Sequence, residues 1–186
     1  MGVDYPWYEV VRPKTWANRP GSSNMEQGYF VDDCPVVLPS TTITEGAQQI
    51  SGDVELYNVI IMSQSCDLQQ RKIDLVLVCP VWSLSEFAQS NRRFGTPDGR
   101  EALRKGQVVG YHLLNICNVD DFIREHLVVD LKNVYGVPYS YLEQLVTSRE
   151  RILRLLPPYR EHLAQAFARF FMRVGLPLDI EPFAKR

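Results

Sequence analysis

From Gly28 onward, apolar residues gather in short β-branched runs set apart by polar stretches, a pattern of strands first and helices later. Tyr29–Leu38, Val54–Met62 and Asp74–Val81 are predicted as three strands. The second ends in Val59-Ile60-Ile61-Met62, apolar on both faces, which places it at the centre of a sheet. Ser40–Gly52 is the long polar loop that joins the first two strands. Ahead of them, residues 1–27 scatter Pro6, Pro13, Pro20 and Gly21 among aromatics. They are expected to form an arm with little regular structure, anchored by Trp7, Tyr8 and Trp16, beside a single domain spanning residues 28–186.

After Val81 the period lengthens. Ser83 stands three residues before Glu86 as a capping box, and Leu84, Phe87 and Ala88 follow at helical spacing. Thr96 and Pro97 open a second short helix that Gly106 stops. Val108–Ile116 and Leu127–Val134 return to strand character, with a helical turn expected over Asp120–Glu125. Ser140–Val146 reads as a short helix and Arg151–Leu156 as a last strand. The final helix follows Pro157-Pro158, with Tyr159, Leu163, Phe167, Phe170, Phe171 and Val174 on one apolar face. His162, Ala166, Arg169 and Arg173 line the border of that face. Arg160 falls among the aromatics, where it either snorkels or pairs with a buried acid such as Asp130.

Composition narrows the picture. With 45% hydrophobic and 23% charged residues, a chain of 186 residues can bury one sizeable core without staples, so no metal or cofactor is expected. A formal net charge of −2 excludes a generally basic nucleic-acid binder and makes any such role local. The segment 146–186 holds eight basic and four acidic residues, a net of +4 that leaves −6 elsewhere. Four cysteines without a CxxC spacing read as reduced thiols rather than a disulfide framework. No run approaches the roughly 18 apolar residues of a membrane span. A cytoplasmic protein without a membrane partner is therefore expected.

Ser63-Gln64-Ser65-Cys66-Asp67 follows directly on the central strand, where polar groups often emerge at sites. Cys66 could act as a nucleophile with His112 as base and Asp67 as orienter, because a thiolate beside an imidazole supports hydrolysis. The plainer alternative makes Cys66 an inert thiol, with Ser65 and Asp67 capping the turn. His112 alternates with apolar neighbours and can equally be a half-buried structural residue. His162, Arg169 and Arg173 could bind phosphates or an acidic partner through forked donors, or pair with carboxylates of the same domain.

The order of elements from Gln27 to Val146 resembles the small-barrel family of MazF and PemK toxins, bacterial endoribonucleases related in fold to the gyrase poison CcdB. Gln27-Gly28-Tyr29-Phe30-Val31-Asp32-Asp33 resembles the start of its first strand, Val59-Ile60-Ile61-Met62-Ser63 its second and Leu77-Val78-Cys79-Pro80-Val81 its third. Leu127-Val128-Val129-Asp130-Leu131 resembles the later strand that carries an Asp. Tyr57-Asn58 stands where the family has its catalytic Arg-Pro pair, Tyr29 where it has Asp, and the catalytic Thr position falls near Trp82 or Ser83.

The resemblance implies an α+β fold with a small, strongly bent antiparallel β-barrel, to which the patterns above add peripheral helices and an amphipathic C-terminal helix. It also implies a binding module in a toxin–antitoxin-like or defence setting, without the family's ribonuclease chemistry. The expected surface combines Ser63, Gln64, Ser65, His162, Arg169 and Arg173 and takes RNA or a protein partner. Two alternatives stand beside it: a thiol-dependent hydrolase using Cys66, His112 and Asp67, and a subunit of a homo-oligomer or larger complex.

Overall fold

A computed structural model describes residues 6–13, 25–39, 52–120 and 122–172. Trp16, Arg173, Val174 and the loop residues before Gly52 lie outside the described residues. The fold is α+β. Among the described residues the strands are β1 (Tyr8–Val11), β2 (Phe30–Pro39), β3 (Gly52–Ile61), β4 (Leu75–Ser83), β5 (Tyr111–Leu114), β6 (Cys117–Val119), β7 (Phe122–Arg124), β8 (Leu127–Asp130), β9 (Tyr135–Pro138) and β10 (Ile152–Leu155). The helices are α1 (Ser65–Gln69), α2 (Leu84–Ser90), α3 (Pro97–Arg104), α4 (Tyr139–Ser148) and α5 (Tyr159–Phe171).

The main sheet runs β2-β3-β4-β8-β5, with β9 beside the first half of β4. β1 and β10 form a separate antiparallel ribbon that meets the start of β2 through a single bridge, Tyr29 to Arg154. Among the described residues no ladder closes these strands into a barrel.

β3 is an interior strand between β2 and β4 rather than the middle of the sheet, a place that β4 takes by pairing with β3, β8 and β9. The period-two alternation of a strand sends its neighbouring side chains to opposite faces. Ile60 and Met62 enter one core with Phe30, Val81, Leu114, Val129, Leu155 and Leu163, so α5 covers that face. Val59 and Ile61 enter a second core with Val76, Val137, Leu142, Val146 and Leu68, under α4 and α1. A third, smaller cluster packs Leu84, Phe87, Phe94 and Leu103 on Val128, seating α2 and α3 over β8. The capping box of α2 forms as expected, Glu86 N donating to Ser83 Oγ at 3.2 Å and Ser83 N to the Glu86 carboxylate at 3.1 Å.

Several expectations need correction. The arm is not without structure, because Tyr8–Val11 pairs residue for residue with Ile152–Leu155. Its alternation, with Tyr8 buried, is short and hidden between two prolines. The helical turn expected over Asp120–Glu125 is a hairpin instead, Val119 opposite Phe122. Asp120 adopts φ 49°, the left-handed conformation that aspartate tolerates in tight turns, and the aromatic and β-branched flanks favour strands. The strand predicted over Leu127–Val134 stops at Asp130, whose carboxylate accepts from Lys132 N at 2.9 Å and Asn133 Nδ2 at 2.7 Å and so turns the chain. Asp130 is thus occupied, and Arg160 pairs with Glu26 at 3.3 Å and Glu161 at 2.8 Å instead. On α5, Leu163 is fully buried, whereas Phe171 is largely exposed.

The two-core arrangement is testable. Ile60→Ala is expected to cost about 2–5 kcal/mol of unfolding free energy through lost burial and the cavity left behind. By contrast Val37→Ala, at a side chain that is 70% exposed, is expected to change stability by less than about 0.5 kcal/mol. Urea unfolding of the two variants checks the contrast.

Candidate functional site

The segment after β3 is largely spent on holding the strand's end. Ser63 is buried and its Oγ accepts from Leu77 N at 2.8 Å, tying β3 to β4. Ser65 Oγ accepts from Gln27 N at 3.1 Å, while Gln27 Nε2 donates to Met62 O at 2.7 Å. Gln64 occupies the N-cap of α1 without a side-chain cap bond and is exposed. Cys66 is also exposed, its Sγ 3.7 Å from Asp67 Oδ1.

A different set of the sequence-chosen residues converges on a cavity of about 580 Å³ between α3, β5 and α5. His112, His162 and Arg169 all line it, whereas Cys66 and Asp67 do not. The α5 wall follows from helical spacing: with Leu163 committed to the core, His162, Gln165, Ala166 and Arg169 fall at i, i+3, i+4 and i+7 on the neighbouring stripe. The opposite wall is the end of α3 and the turn after it. Thr96 caps that helix by accepting from Gly99 N at 3.2 Å, and Arg104, Lys105 and Gly106 deliver its last turn to the cavity mouth. Gly110, at φ 87°, completes the turn into β5. A Cβ there would come within 2.7 Å of Lys132 Cγ and 3.1 Å of Phe170 Cε2, so the close approach of α5 depends on glycine.

The inner wall is apolar and aromatic. Leu131 and Gly110 are buried; Tyr111, Ala166 and Phe170 are half-buried. Tyr111 is held edge-on by Phe87, ring centroids 4.8 Å apart, with Lys132 Nζ 4.3 Å from the centroid of its ring. Exposed around the mouth stand Arg104, Lys105, His162 and Arg169, and no carboxylate is among the lining residues. Glu101 lies just behind, accepting from Arg104 Nε and Nη2 at 2.7 Å each and from Lys105 at 3.3 Å. The Arg104 hydrogen bond leads in holding its carboxyl down to about 2. His112, half-buried in β5 opposite Val129, is pushed down to about 4, first by burial and then by the charge of His162. At neutral pH it is therefore an uncharged imidazole with one donor and one acceptor nitrogen.

Sequence reasoning missed Arg104, Lys105 and Tyr111, because it treated α3 as peripheral. The available signal was the Arg-Lys-Gly end of that helix, followed four residues later by a second glycine and then by Tyr111-His112. Two other recesses among the described residues are smaller. One of about 390 Å³ mixes charges, with Asp32, Glu86 and Glu125 beside Arg124, and one of about 110 Å³ holds Arg149 and Arg151. Among the described residues no group of three or more His, Cys, Asp or Glu is placed to hold a metal ion. Nor is any helix among them long and apolar enough to cross a membrane. Comparison of the sequence with protein-family models and with curated proteins found no match.

The state of His112 sets a pH dependence. Its folded-state value lies below the ordinary 6.5, so acid favours the unfolded chain, which takes the proton more readily. The stability associated with neutral His112 is complete above about 6.5 and is lost as pH falls toward about 4. Urea titrations at pH 7 and pH 4.5 are expected to differ by roughly 1–3 kcal/mol through this group. His112→Gln should remove that part of the difference; an unchanged pH dependence in the variant would show that the imidazole is not the group responsible.

Proposed function

We propose that the protein is an RNA-binding module of the small-barrel kind, working in a bacterial toxin–antitoxin-like or defence setting, and that the cavity beside α5 is its RNA-contacting surface. The observation that carries this reading is the lining itself: four basic side chains, Arg104, Lys105, His162 and Arg169, with no carboxylate among them. Arginine forks and a lysine ammonium match phosphate oxygens, and aromatic walls match bases. RNA is favoured over an acidic protein because the recess is concave and partly aromatic, while a protein partner would more often meet a broad, flat face.

A strongly bent, barrel-like sheet is part of the same reading. One core draws inward side chains from strands in all three sheets, including Tyr8, Leu153, Phe30, Ile60, Val81, Leu127, Leu114 and Cys117. Tyr8 OH donates to Asn115 O at 2.6 Å, bringing the first strand against the chain that leaves β5. On the other face, Tyr57 of β3 stacks on Tyr135 of β9, ring centroids 5.6 Å apart, a contact across β4 that supports a bent sheet. Tyr57 and Asn58 stand where the MazF and PemK family has its catalytic Arg-Pro pair, which supports binding without that family's cleavage chemistry.

The hydrolase alternative requires Cys66 to work with His112, yet His112 lines the cavity and Cys66 does not. Fluorescence anisotropy with a short single-stranded RNA separates the readings. His162→Ala combined with Arg169→Ala is expected to weaken binding by roughly tenfold or more and to flatten its salt dependence by about 0.7 per lost phosphate contact. Cys66→Ala should leave binding unchanged. Full affinity in the double variant would overturn the assignment of this surface.

A further inference from the structure

The shape of the cavity says more about the ligand than its charge does, provided that it binds RNA as proposed above. This recess is walled by the end of α3 and the turn through Gly110, by β5 with Leu131, and by α5. At about 580 Å³ it falls in the range of sites that take up one small molecule. Polarity is graded from mouth to interior. The basic groups at the mouth are exposed, while Tyr111, Phe170 and Leu131 line the inner wall and half-buried His112 offers hydrogen bonds among them.

The mouth cations are not equally engaged. Arg104 is committed to Glu101 through two hydrogen bonds, and Lys105 shares the same carboxylate more loosely at 3.3 Å. Arg169, across the cavity on α5, has no ion pair among the described residues. Arg169 is therefore free to meet a ligand, and Lys105 can turn to it from the opposite side because Arg104 still neutralises Glu101. Together they suit a dianion better than the single charge of an internal phosphodiester.

We infer that the cavity holds one nucleotide with a terminal phosphomonoester, its base against Tyr111 and Phe170 and its phosphate between Arg169 and Lys105. The same chemistry is presented by the 5′ end of a phosphorylated RNA and by a free 5′-nucleotide.

The test compares one short RNA bearing a 5′-phosphate with the same RNA bearing a 5′-hydroxyl, and adds adenosine 5′-monophosphate as a separate ligand. The phosphorylated RNA is expected to bind roughly tenfold more tightly than the hydroxyl form. Arg169→Ala and Lys105→Ala should each narrow that gap, with the circular dichroism spectrum unchanged because both side chains are exposed. A gap of full size in both variants would overturn the placement of the phosphate. Equal binding of the two RNAs would overturn the inference while leaving RNA binding intact. Binding of the mononucleotide without either RNA would keep the inference, make the free nucleotide its source and overturn the RNA reading. If none of the three ligands binds, both readings fall.

Discussion

Everything in this molecule hangs on the alternation of Val59, Ile60, Ile61 and Met62 between two cores that lie on opposite faces of one strand. Each of these side chains, when buried, contributes on the order of 1.5–3 kcal/mol, and a slip of one residue would exchange the two sets at once. Their register is fixed by the pairing of Val59, Ile60 and Ile61 with Pro80, Cys79 and Val78. Polar side chains then lock the strand's end, Ser63 reaching across to β4 and Gln27 to the carbonyl of Met62. This explains why the segment after the strand offers so little free chemistry.

The face that receives Ile60 and Met62 is the one that α5 covers, so the position of the cavity follows from the core. Leu163 fixes the rotation of α5 about its axis, and the stripe one step round from it becomes the cavity wall. The start of the helix is pinned by the stack of Tyr159 on Trp7, ring centroids 3.6 Å apart. Glu26 joins Arg160 of α5 to Arg154 of β10 at 3.3 and 3.0 Å, and Arg154 also pairs with Glu9 of β1. Partly exposed ion pairs of this kind add little stability individually, about 0–1 kcal/mol. Their consequence is geometric: the segment before β2, the β1–β10 ribbon and the last helix are held in one arrangement.

Much of the fold was legible because strong patterns coincide with strong packing. The interior strand β3, the capping box at Ser83, the helix begun by Thr96-Pro97 and the final helix all announce themselves through periodicity and caps. What stayed hidden depends on contacts distant in sequence. Four residues of β1 acquire strand structure from β10, more than 140 positions away as the Glu9–Arg154 pairing shows. The β6–β7 hairpin rests on one aspartate at positive φ, which no periodicity reveals. The candidate site was legible by halves. His112, His162 and Arg169 can be chosen from their residue types and helical borders, but their meeting, and their separation from Cys66 in the cavity lining, required the folded chain. Arg104 and Lys105 are not legible in the sequence, because the end of a short helix carries no mark of facing a helix that begins at Tyr159.

The surface between α3 and α5, rather than the segment after β3, is the one proposed to meet RNA. Backbone amide chemical-shift mapping during titration with single-stranded RNA addresses it most directly. Perturbations are expected to concentrate on Arg104–His112 and His162–Phe170. Perturbations gathered instead on Gln64–Asp67, with the cavity residues unmoved, would place RNA on the segment after β3 and remove the cavity from its recognition.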